Sequence, residues 1–229
     1  MITVPVLMSL GLSPQDALGT NKLQASFGSG SASLNFILAK EVNVKSCYYG
    51  VFLTFVGASA GTVVVQMLSS EFLKFLIPFL LIAIAVYSLL NPAIGLKDRK
   101  PALSDKGFYL IFGLSIGFYD GFFGPGTGSF WAMAYLLFLG YNLKKATAYT
   151  KVMNFTSNVA SLLFFLIGGR VYFSIGLSMA LGQIIGARMG ARFVIKKGAK
   201  FIKPIFVSMV LIITIKLLIE NIKKFFLNF

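Results

Sequence analysis

The sequence of 229 residues contains no histidine, one cysteine and only seven carboxylates. Without histidine, it lacks the commonest metal ligand and the commonest proton shuttle near neutral pH. The single thiol, Cys47, excludes an intramolecular disulfide. The sequence also contains neither a nucleotide-binding motif nor a cluster of metal-ligating residues. We therefore expect a protein that is not an enzyme and that holds no metal and no cofactor.

Charged residues of any kind are scarce. They make up 12% of the chain, whereas 57% of it is hydrophobic, and soluble domains carry about 25% charged residues. Apolar runs of roughly 20 residues recur, each long enough to cross a ~30 Å hydrocarbon core as a helix. They lack the period-two alternation of a membrane β-barrel. The composition predicts an all-α polytopic membrane protein in a lipid bilayer.

Most of the charges are positive, with 21 Lys and Arg against 7 Asp and Glu and a net charge of +14. The basic residues cluster in short loops, as the positive-inside rule expects for a protein of the cell membrane with several passes. We therefore expect no nucleic-acid partner.

Apolar runs and polar interruptions divide the chain into membrane segments and loops. After a short apolar stretch at 2–12, the runs cover residues 18–39, 46–68, 72–90, 107–139, 146–167, 171–194 and 201–219. They predict about seven to eight membrane segments. Prolines and charges predict a linker loop at residues 91–106, and residues 220–229 are interpreted as a C-terminal interfacial tail.

The parts of the chain on either side of the linker match each other without a gap at an offset of 129 residues. The matched pairs include Leu7 and Leu136, Gly11 and Gly140, Ala17 and Ala146, Lys22 and Lys151, Gly57 and Gly186, and Gly61 and Gly190. Matching glycines and lysines carry more weight than matching apolar residues, which any two membrane spans share. We predict two homologous helical repeats, residues 1–90 and 107–219, in a transporter-like architecture.

Residues 117–131, GFYDGFFGPGTGSFW, interrupt an otherwise apolar segment. A kink for close helix packing is the structural alternative, but four glycines and a proline within residues 121–128 exceed what a kink needs. The start of a second half-helix would offer free N–H groups and a positive dipole end to an anion. We predict a Gly-rich broken or re-entrant helix, with an anion-binding site that includes Gly124, Gly126, Thr127 and Gly128.

At the same offset, Met1 aligns with Phe130, so the first repeat as given has no counterpart of this broken segment. This alignment predicts either a chain truncated within its first broken segment or a protein that works with one such segment.

Polar side chains also lie in the two equivalent segments 18–39 and 146–167. Lys22 and Lys151 are equivalent residues there, and ionisable groups within a membrane are candidates for function. Snorkelling of a lysine near a helix end is the alternative. Two lysines at equivalent positions, beside amides and hydroxyls, favour a cationic lining for an anion. The predicted substrate-binding residues are Thr20, Asn21, Lys22, Gln24, Thr150, Lys151, Asn154 and Asn158.

Asp120 is the only one of the seven carboxylates inside a hydrophobic segment. A bare carboxylate is costly there, so it should be protonated or paired. In one interpretation it is a cap that accepts hydrogen bonds from the freed amides. In the other it takes up a proton, or pairs with Lys151, as the anion binds, which makes Asp120 the proton-coupling residue.

Two arrangements are open for residues 107–139. A hairpin would return the chain to its starting side and put the loops 91–106 and 140–145 on one face, which fits the positive-inside rule better than a single kinked span does. Small residues four apart in GASAG (57–61) and GQIIGARMGAR (182–192) predict close helix packing.

Four segments, ITVPVLMSLGLSPQDALGTNKLQ, GFYDGFFGPGTGSF, TKVMNFTSN and GQIIGARMGAR, resemble the TauE/SafE family of sulfite exporters, the TSUP transporters. The resemblance spans essentially the whole chain. It implies a bacterial inner-membrane protein of about eight spans in two repeats, a count that favours the single kinked span. It also implies transport, often export, of sulfite, sulfonates or related anions.

The sequence thus predicts a secondary carrier of small inorganic or organic anions that contain sulfur, with proton coupling at Asp120. An anion channel and a non-transporting membrane accessory protein remain alternatives, and a homo-oligomer is left open.

Overall fold

The computed structural model describes residues 3–77, 79–80 and 98–197, and all regular structure within them is helical. The helices are α1 (Thr3–Ser9), α2 (Pro14–Leu38), α3 (Val44–Met67), α4 (Asp105–Phe108), α5 (Leu114–Phe122), α6 (Thr127–Phe138), α7 (Leu143–Ile167) and α8 (Phe173–Lys197). A π-helical turn, Tyr109–Gly113, joins α4 to α5, and helical backbone also covers residues 70–77. The all-helical prediction is confirmed. The predicted segment 201–219, the tail and residues 81–97, which contain parts of the predicted segment 72–90 and of the predicted linker 91–106, lie outside the described residues.

The long helices begin at capping residues. The side chains of Ser13, Asn43 and Asn142 each accept a hydrogen bond from a backbone N–H in the first turn of α2, α3 and α7. Pro14 then stands at the first position of α2, where its missing N–H costs nothing. Because the caps are polar, each helix starts two to four residues earlier than the apolar run that predicted it.

The boundaries of α2 and α7 correspond at the predicted offset. Each helix has 25 residues, and they run over Pro14–Leu38 and Leu143–Ile167. Likewise, α3 begins at Val44 and α8 at Phe173.

The turns that flank α2 and α7 correspond as well. Gly11 and Gly140 precede the two helices with φ angles of 96° and 66°. Lys40 and Gly169 follow them with φ angles of 58° and 66°. A left-handed φ is uncommon for a residue with a side chain. Its occurrence at Lys40, whose equivalent position is Gly169, therefore indicates that the backbone turns in the same way after both helices.

Helices α2 and α7 pack against each other in antiparallel orientation. Glu41, just beyond the end of α2, accepts from Lys144 at the start of α7, with 2.6 Å between Oε1 and Nζ. At the other end, Asp16 in the first turn of α2 lies 3.6 Å from Arg170, just beyond α7. Each end of one helix therefore lies beside the opposite end of the other.

The segment from residue 98 to residue 142 forms a hairpin. Arg99 N donates to the carbonyl of Gly140 at 2.7 Å. Ala102 N donates to the carbonyl of Phe138 at 2.8 Å. Both ends of the segment thus meet at one end of the bundle, as the hairpin alternative requires. The single kinked span is not the observed arrangement.

Helices α3 and α5 pack with their backbones in direct contact. A Cβ on Gly57 would lie 2.5 Å from the carbonyl oxygen of Leu114, and a Cβ on Gly117 would lie 2.8 Å from that of Thr54. The prediction that residues 57–61 pack closely against a helix is confirmed. For residues 182–192 the prediction has no such support, because no described atom lies within 4 Å of a Cβ built on the glycines of that stretch.

Two of the described helices, α3 and α7, are long and apolar enough to cross a membrane. Large apolar side chains are exposed on the outside of the bundle, among them Phe52, Leu163 and Leu181. Extended apolar surface of this kind suits contact with lipid better than contact with water. The number of spans, seven to eight, stays a prediction.

Candidate anion site at the hairpin tip

The hairpin reverses direction in the four residues between α5 and α6. Gly124 and Gly126 have φ angles of 93° and 86° there, a conformation that favours glycine. Thr127 Oγ1 donates to the carbonyl of Gly124 at 2.5 Å, and Tyr119 Oη donates to that of Pro125 at 2.7 Å. Side chains therefore satisfy carbonyls that the break in the helix leaves free, as an apolar interior requires.

Proline does not end the first half-helix. Helix α5 ends at Phe122, three residues before Pro125. The second half-helix begins at Thr127, so Gly128 lies in its first turn.

Lys22 and Asp120 form a buried ion pair at this tip. Lys22 Nζ lies 2.7 Å from Asp120 Oδ1 and also donates to the backbone carbonyl of Asp120 at 2.5 Å. The two residues are only 1% and 4% exposed. A cation near the last turn of α5 also complements the negative end of that helix. The other carboxylate oxygen of Asp120 accepts from Ser157 Oγ of α7.

This pairing corrects two of the predicted partners of Asp120, whereas proton coupling at this residue stays a prediction. The carboxylate accepts hydrogen bonds from the side chains of Lys22 and Ser157 rather than from freed amides, so the interpretation as an amide cap is wrong. Lys151, which we considered as the partner, forms no ion pair with Asp120. The actual partner, Lys22, belongs to α2, whereas Asp120 belongs to α5. No pattern within one segment of the sequence indicates such a pair.

Ser157 is a site residue that the sequence prediction missed. It follows Thr150 and Asn154 at spacings of four and three residues, which places all three on one face of α7. That spacing is a signal in the sequence that would have identified Ser157 as a neighbour of the predicted site.

Gly124 leaves just enough room for the ion pair. A Cβ at this position would lie 2.8 Å from Asp120 Oδ1 and 3.1 Å from Lys22 Nζ. A side chain at Gly124 would therefore push the two charged groups apart.

A second polar region lies beside the start of α6. A Cβ built on Gly128 would lie 3.4 Å from Asn154 Nδ2 and 3.9 Å from Thr150 Cγ2. Ser129 and Phe130 both donate their N–H groups to the carbonyl of Gly126, whereas no described atom accepts from the N–H of Gly128. A helix start with a free N–H group attracts anions.

Two buried polar atoms of α7 also lack partners in this region. Thr150, which is 3% exposed, has no described hydrogen-bond partner for its Oγ1, and neither has Asn154 for its Oδ1. Buried polar atoms without partners are rare in folded proteins. Lys151 follows Thr150, is partly buried, and has no ion pair or hydrogen bond with another described residue. These groups are free to contact a ligand.

The remaining predicted site residues bond elsewhere than at the hairpin tip: Thr20, Gln24 and Asn158 connect helices, and Asn21 bonds within α2. Their hydrogen-bond partners are Tyr172 N for Thr20 at 3.1 Å, Gln24 for Asn21 at 2.9 Å, Thr3 for Gln24 at 3.2 Å and Ser29 for Asn158 at 3.3 Å. The structure thus divides the predicted residues into those that reach the hairpin and those that hold α2 against α1, α7 and α8.

A helical bundle with an apolar exterior, and with a broken helix whose tip carries a buried ion pair, is typical of helical membrane transporters. The sequence model of the family described as sulfite exporter TauE/SafE matches residues 1–217. The chain belongs to this family, and the resemblance seen in its motifs is confirmed.

Its relatives are described as transporters too. The chain is 44% identical over 221 residues to the probable membrane transporter protein YfcA of Escherichia coli strain K12, covering 96% of this chain and 82% of that protein. A probable membrane transporter protein of Haemophilus influenzae is 45% identical over 225 residues, covering 96% and 87%. YunE of Bacillus subtilis, also a probable membrane transporter protein, is 26% identical over 250 residues, covering 97% and 90%. No solved structure matches the chain.

Proposed function

We propose that this membrane transporter is a secondary carrier that exports small sulfur-containing anions, such as sulfite or sulfonates, and that Asp120 couples transport to protons. The description of the family as sulfite exporters supports this substrate class. The observation that carries the proposal is the buried pair of Lys22 and Asp120, with 2.7 Å between Nζ and Oδ1.

Coupling follows from competition for one cation. While Asp120 is charged, it holds Lys22, and an anion cannot use that lysine without displacing the carboxylate. A carboxylate that has lost its cation and gained an anionic neighbour is protonated more readily. Binding of the anion and uptake of a proton by Asp120 therefore favour each other.

The anion first meets the groups that have no partner. In this proposal the N–H of Gly128, the hydroxyl of Thr150 and the Nδ2 group of Asn154 donate to its oxygens, and Lys151 supplies the positive charge. Hydrogen bonds of this kind to a charged acceptor are stronger than those between neutral groups. As the bound anion moves through the bundle, Asp120 changes from a charged form paired with Lys22 to a protonated form, and back again.

Transport in proteoliposomes tests the coupling. Wild-type protein and Asp120→Asn are compared for sulfite flux with and without an imposed pH gradient. The matched control is Glu41→Gln, which removes the carboxylate of the ion pair with Lys144 at the end of the bundle. We expect Asp120→Asn to fold and to bind sulfite while its flux no longer responds to the pH gradient, and we expect the control to behave as the wild type. Unchanged pH dependence of Asp120→Asn flux would contradict proton coupling at this residue.

The same material tests the carrier itself. Ligand at ~100 times its Kd adds about 2.7 kcal/mol of stability, so a thermal-shift screen of sulfite, thiosulfate, sulfonates and carboxylates detects the bound class. Saturable flux supports the carrier. Ohmic conductance would favour an anion channel, and a lack of both flux and anion-induced stabilisation would favour an accessory protein.

A further inference from the structure

Helices α2 and α7 meet at two residues that correspond to each other. Asn158 Nδ2 donates to Ser29 Oγ at 3.3 Å, and the two residues are separated by 129 positions, the same offset that relates the boundaries of the two helices. In a two-fold symmetric arrangement, a residue that contacts its own equivalent lies next to the axis. The contact between Ser29 and Asn158 therefore marks where such an axis would pass.

The contacts on either side of this point also correspond. Helix α2 packs against α8, and α7 packs against α3, the equivalent of α8. At the ends, Glu41 and Arg170 are equivalent positions, and each pairs with a charge in the first turn of the other long helix. Because α2 and α7 are antiparallel, the axis runs perpendicular to both helices.

We infer that residues 3–67 and 132–196 are two inverted halves, related by a two-fold axis that passes between Ser29 and Asn158 and lies in the membrane plane. The consequence is two equivalent cation positions in opposite halves of the bundle. Lys22 and Lys151 each lie eight residues after the first residue of their helix, or ~12 Å along it at 1.5 Å per residue. Because the two helices are antiparallel, the backbones of the two lysines lie on opposite sides of the axis, in the arrangement that alternating exposure of a central site requires.

Labelling of single cysteines tests the inversion without any assumption about the substrate. The equivalent residues Lys45 and Ser174 are both exposed near the starts of α3 and α8. In a Cys47→Ser background, Lys45→Cys and Ser174→Cys are treated in oriented vesicles with a membrane-impermeant thiol reagent. We expect label at the two positions from opposite sides. Label from the same side at both would mean parallel halves and would overturn the inference.

Two further cysteines serve as controls for the sides. Asp105→Cys should share its side with Lys45→Cys, since the hairpin returns to that end of the bundle. Ser69→Cys should share its side with Ser174→Cys, because both positions lie near the start of α2. The carbonyl of Leu68 accepts from Gln15 there, and Arg170, four residues before Ser174, pairs with Asp16. A different grouping of these four positions would also contradict the inverted arrangement.

Exchange of the two axial residues tests the position of the axis. On a two-fold axis, Ser29→Asn combined with Asn158→Ser recreates the same contact with the roles reversed. We expect the double variant to keep the melting temperature of the wild type, whereas Asn158→Ala lowers it. If the exchanged variant melts as low as Asn158→Ala, the axis does not pass between these residues. Neither cysteine labelling nor the melting temperature depends on anion flux. Failure of the proposed carrier activity would therefore not affect the interpretation of these tests.

Discussion

Lys22 and Lys151 occupy equivalent positions in α2 and α7, yet their surroundings differ. Lys22 is 1% exposed and lies 2.7 Å from a carboxylate oxygen of Asp120. Lys151 is partly buried, and it forms no ion pair with a carboxylate of the described residues. The carboxylate that neutralises Lys22 belongs to the hairpin, not to the helix that carries the lysine. What a membrane lysine does is therefore decided by the segment packed against it, and only the second lysine is left free for an anion.

Two glycines at the hairpin tip, Gly124 in the turn and Gly128 in the first turn of α6, differ in the same way as the two lysines. Gly124 has no space for a side chain because the ion pair lies against it, whereas Gly128 borders the polar atoms of Asn154 and Thr150 at ordinary contact distance. One side of the turn is closed by protein groups, and the other side is lined by groups that lack partners.

Replacement of each lysine by methionine is expected to give the largest difference in stability between the two equivalent positions. Lys22→Met leaves Asp120 charged and buried without its cation, and breaking a buried pair in this way costs about 3–5 kcal/mol. Lys151→Met removes no described ion pair, so its stability should stay within ~1 kcal/mol of the wild type, while anion-induced stabilisation is lost. Thermal unfolding in detergent, with and without sulfite, measures both effects.

The double variant Lys22→Met with Asp120→Leu serves as the control, since removal of both charges should recover most of the stability. Equal destabilisation by the two single lysine variants would contradict the contrast between a paired and a free lysine.

Alanine in place of Gly124, in the turn, and of Gly128, just after it, should give the next largest difference. Gly124→Ala puts a Cβ against Asp120 and Lys22 at a left-handed φ, and overpacking of this kind typically costs about 1–3 kcal/mol. Gly128→Ala adds only contacts of 3.4 Å or more, so the fold should tolerate it while the space for an anion shrinks. Melting temperatures and sulfite-induced shifts of the two variants decide the point. A larger loss of stability for Gly128→Ala would mean that the open side of the turn has been misassigned.

A matched pair of threonines separates bonded from unbonded hydroxyls. Thr62 Oγ1 donates to the carbonyl of Ala58 at 2.8 Å, so Thr62→Val should cost about 1 kcal/mol. Thr150→Val removes a hydroxyl that has no described partner and should be neutral or slightly stabilising. The affinity of Thr150→Val for the anion should nevertheless fall about tenfold or more, because a hydrogen bond to a charged group is worth about 1.5–3 kcal/mol. Calorimetric titration with sulfite would contradict this if the affinity did not change.

The ion pairs at the ends of the bundle should give the smallest effects. Glu41→Gln and Asp16→Asn break pairs whose basic side chains are 32% and 45% exposed, and partly exposed pairs contribute about 0–1 kcal/mol. The loss should shrink further in ~1 M salt, where charges are screened within about 3 Å. The loss caused by Lys22→Met should not respond to salt in this way. If it did, the Lys22–Asp120 pair would have to be accessible to water.

Local signals in the sequence predicted the helices and the correspondence between the two halves. They did not predict which helices contact each other. Caps such as Ser13 and Asn142 and the left-handed positions at Gly11 and Gly140 act within a few residues, so the offset between the two halves was visible in the sequence. The partner of Asp120 was not, because it depends on the direction in which the hairpin enters the bundle. The glycines of residues 57–61 indicated close packing, but nothing near them in the sequence identified α5 as the helix that they contact.

The pair of Lys22 and Asp120 also bears on how the protein enters its membrane during synthesis. Lys22 precedes Asp120 by 98 residues, so α2 is made and inserted well before the hairpin. A long lysine side chain can reach the headgroup region while it waits in a lipid bilayer, whereas the short side chain of an aspartate has no such reach. The order of the two residues along the chain therefore lets the hairpin insert into a bundle that already contains its counter-ion, and the aspartate does not have to wait in lipid for a partner.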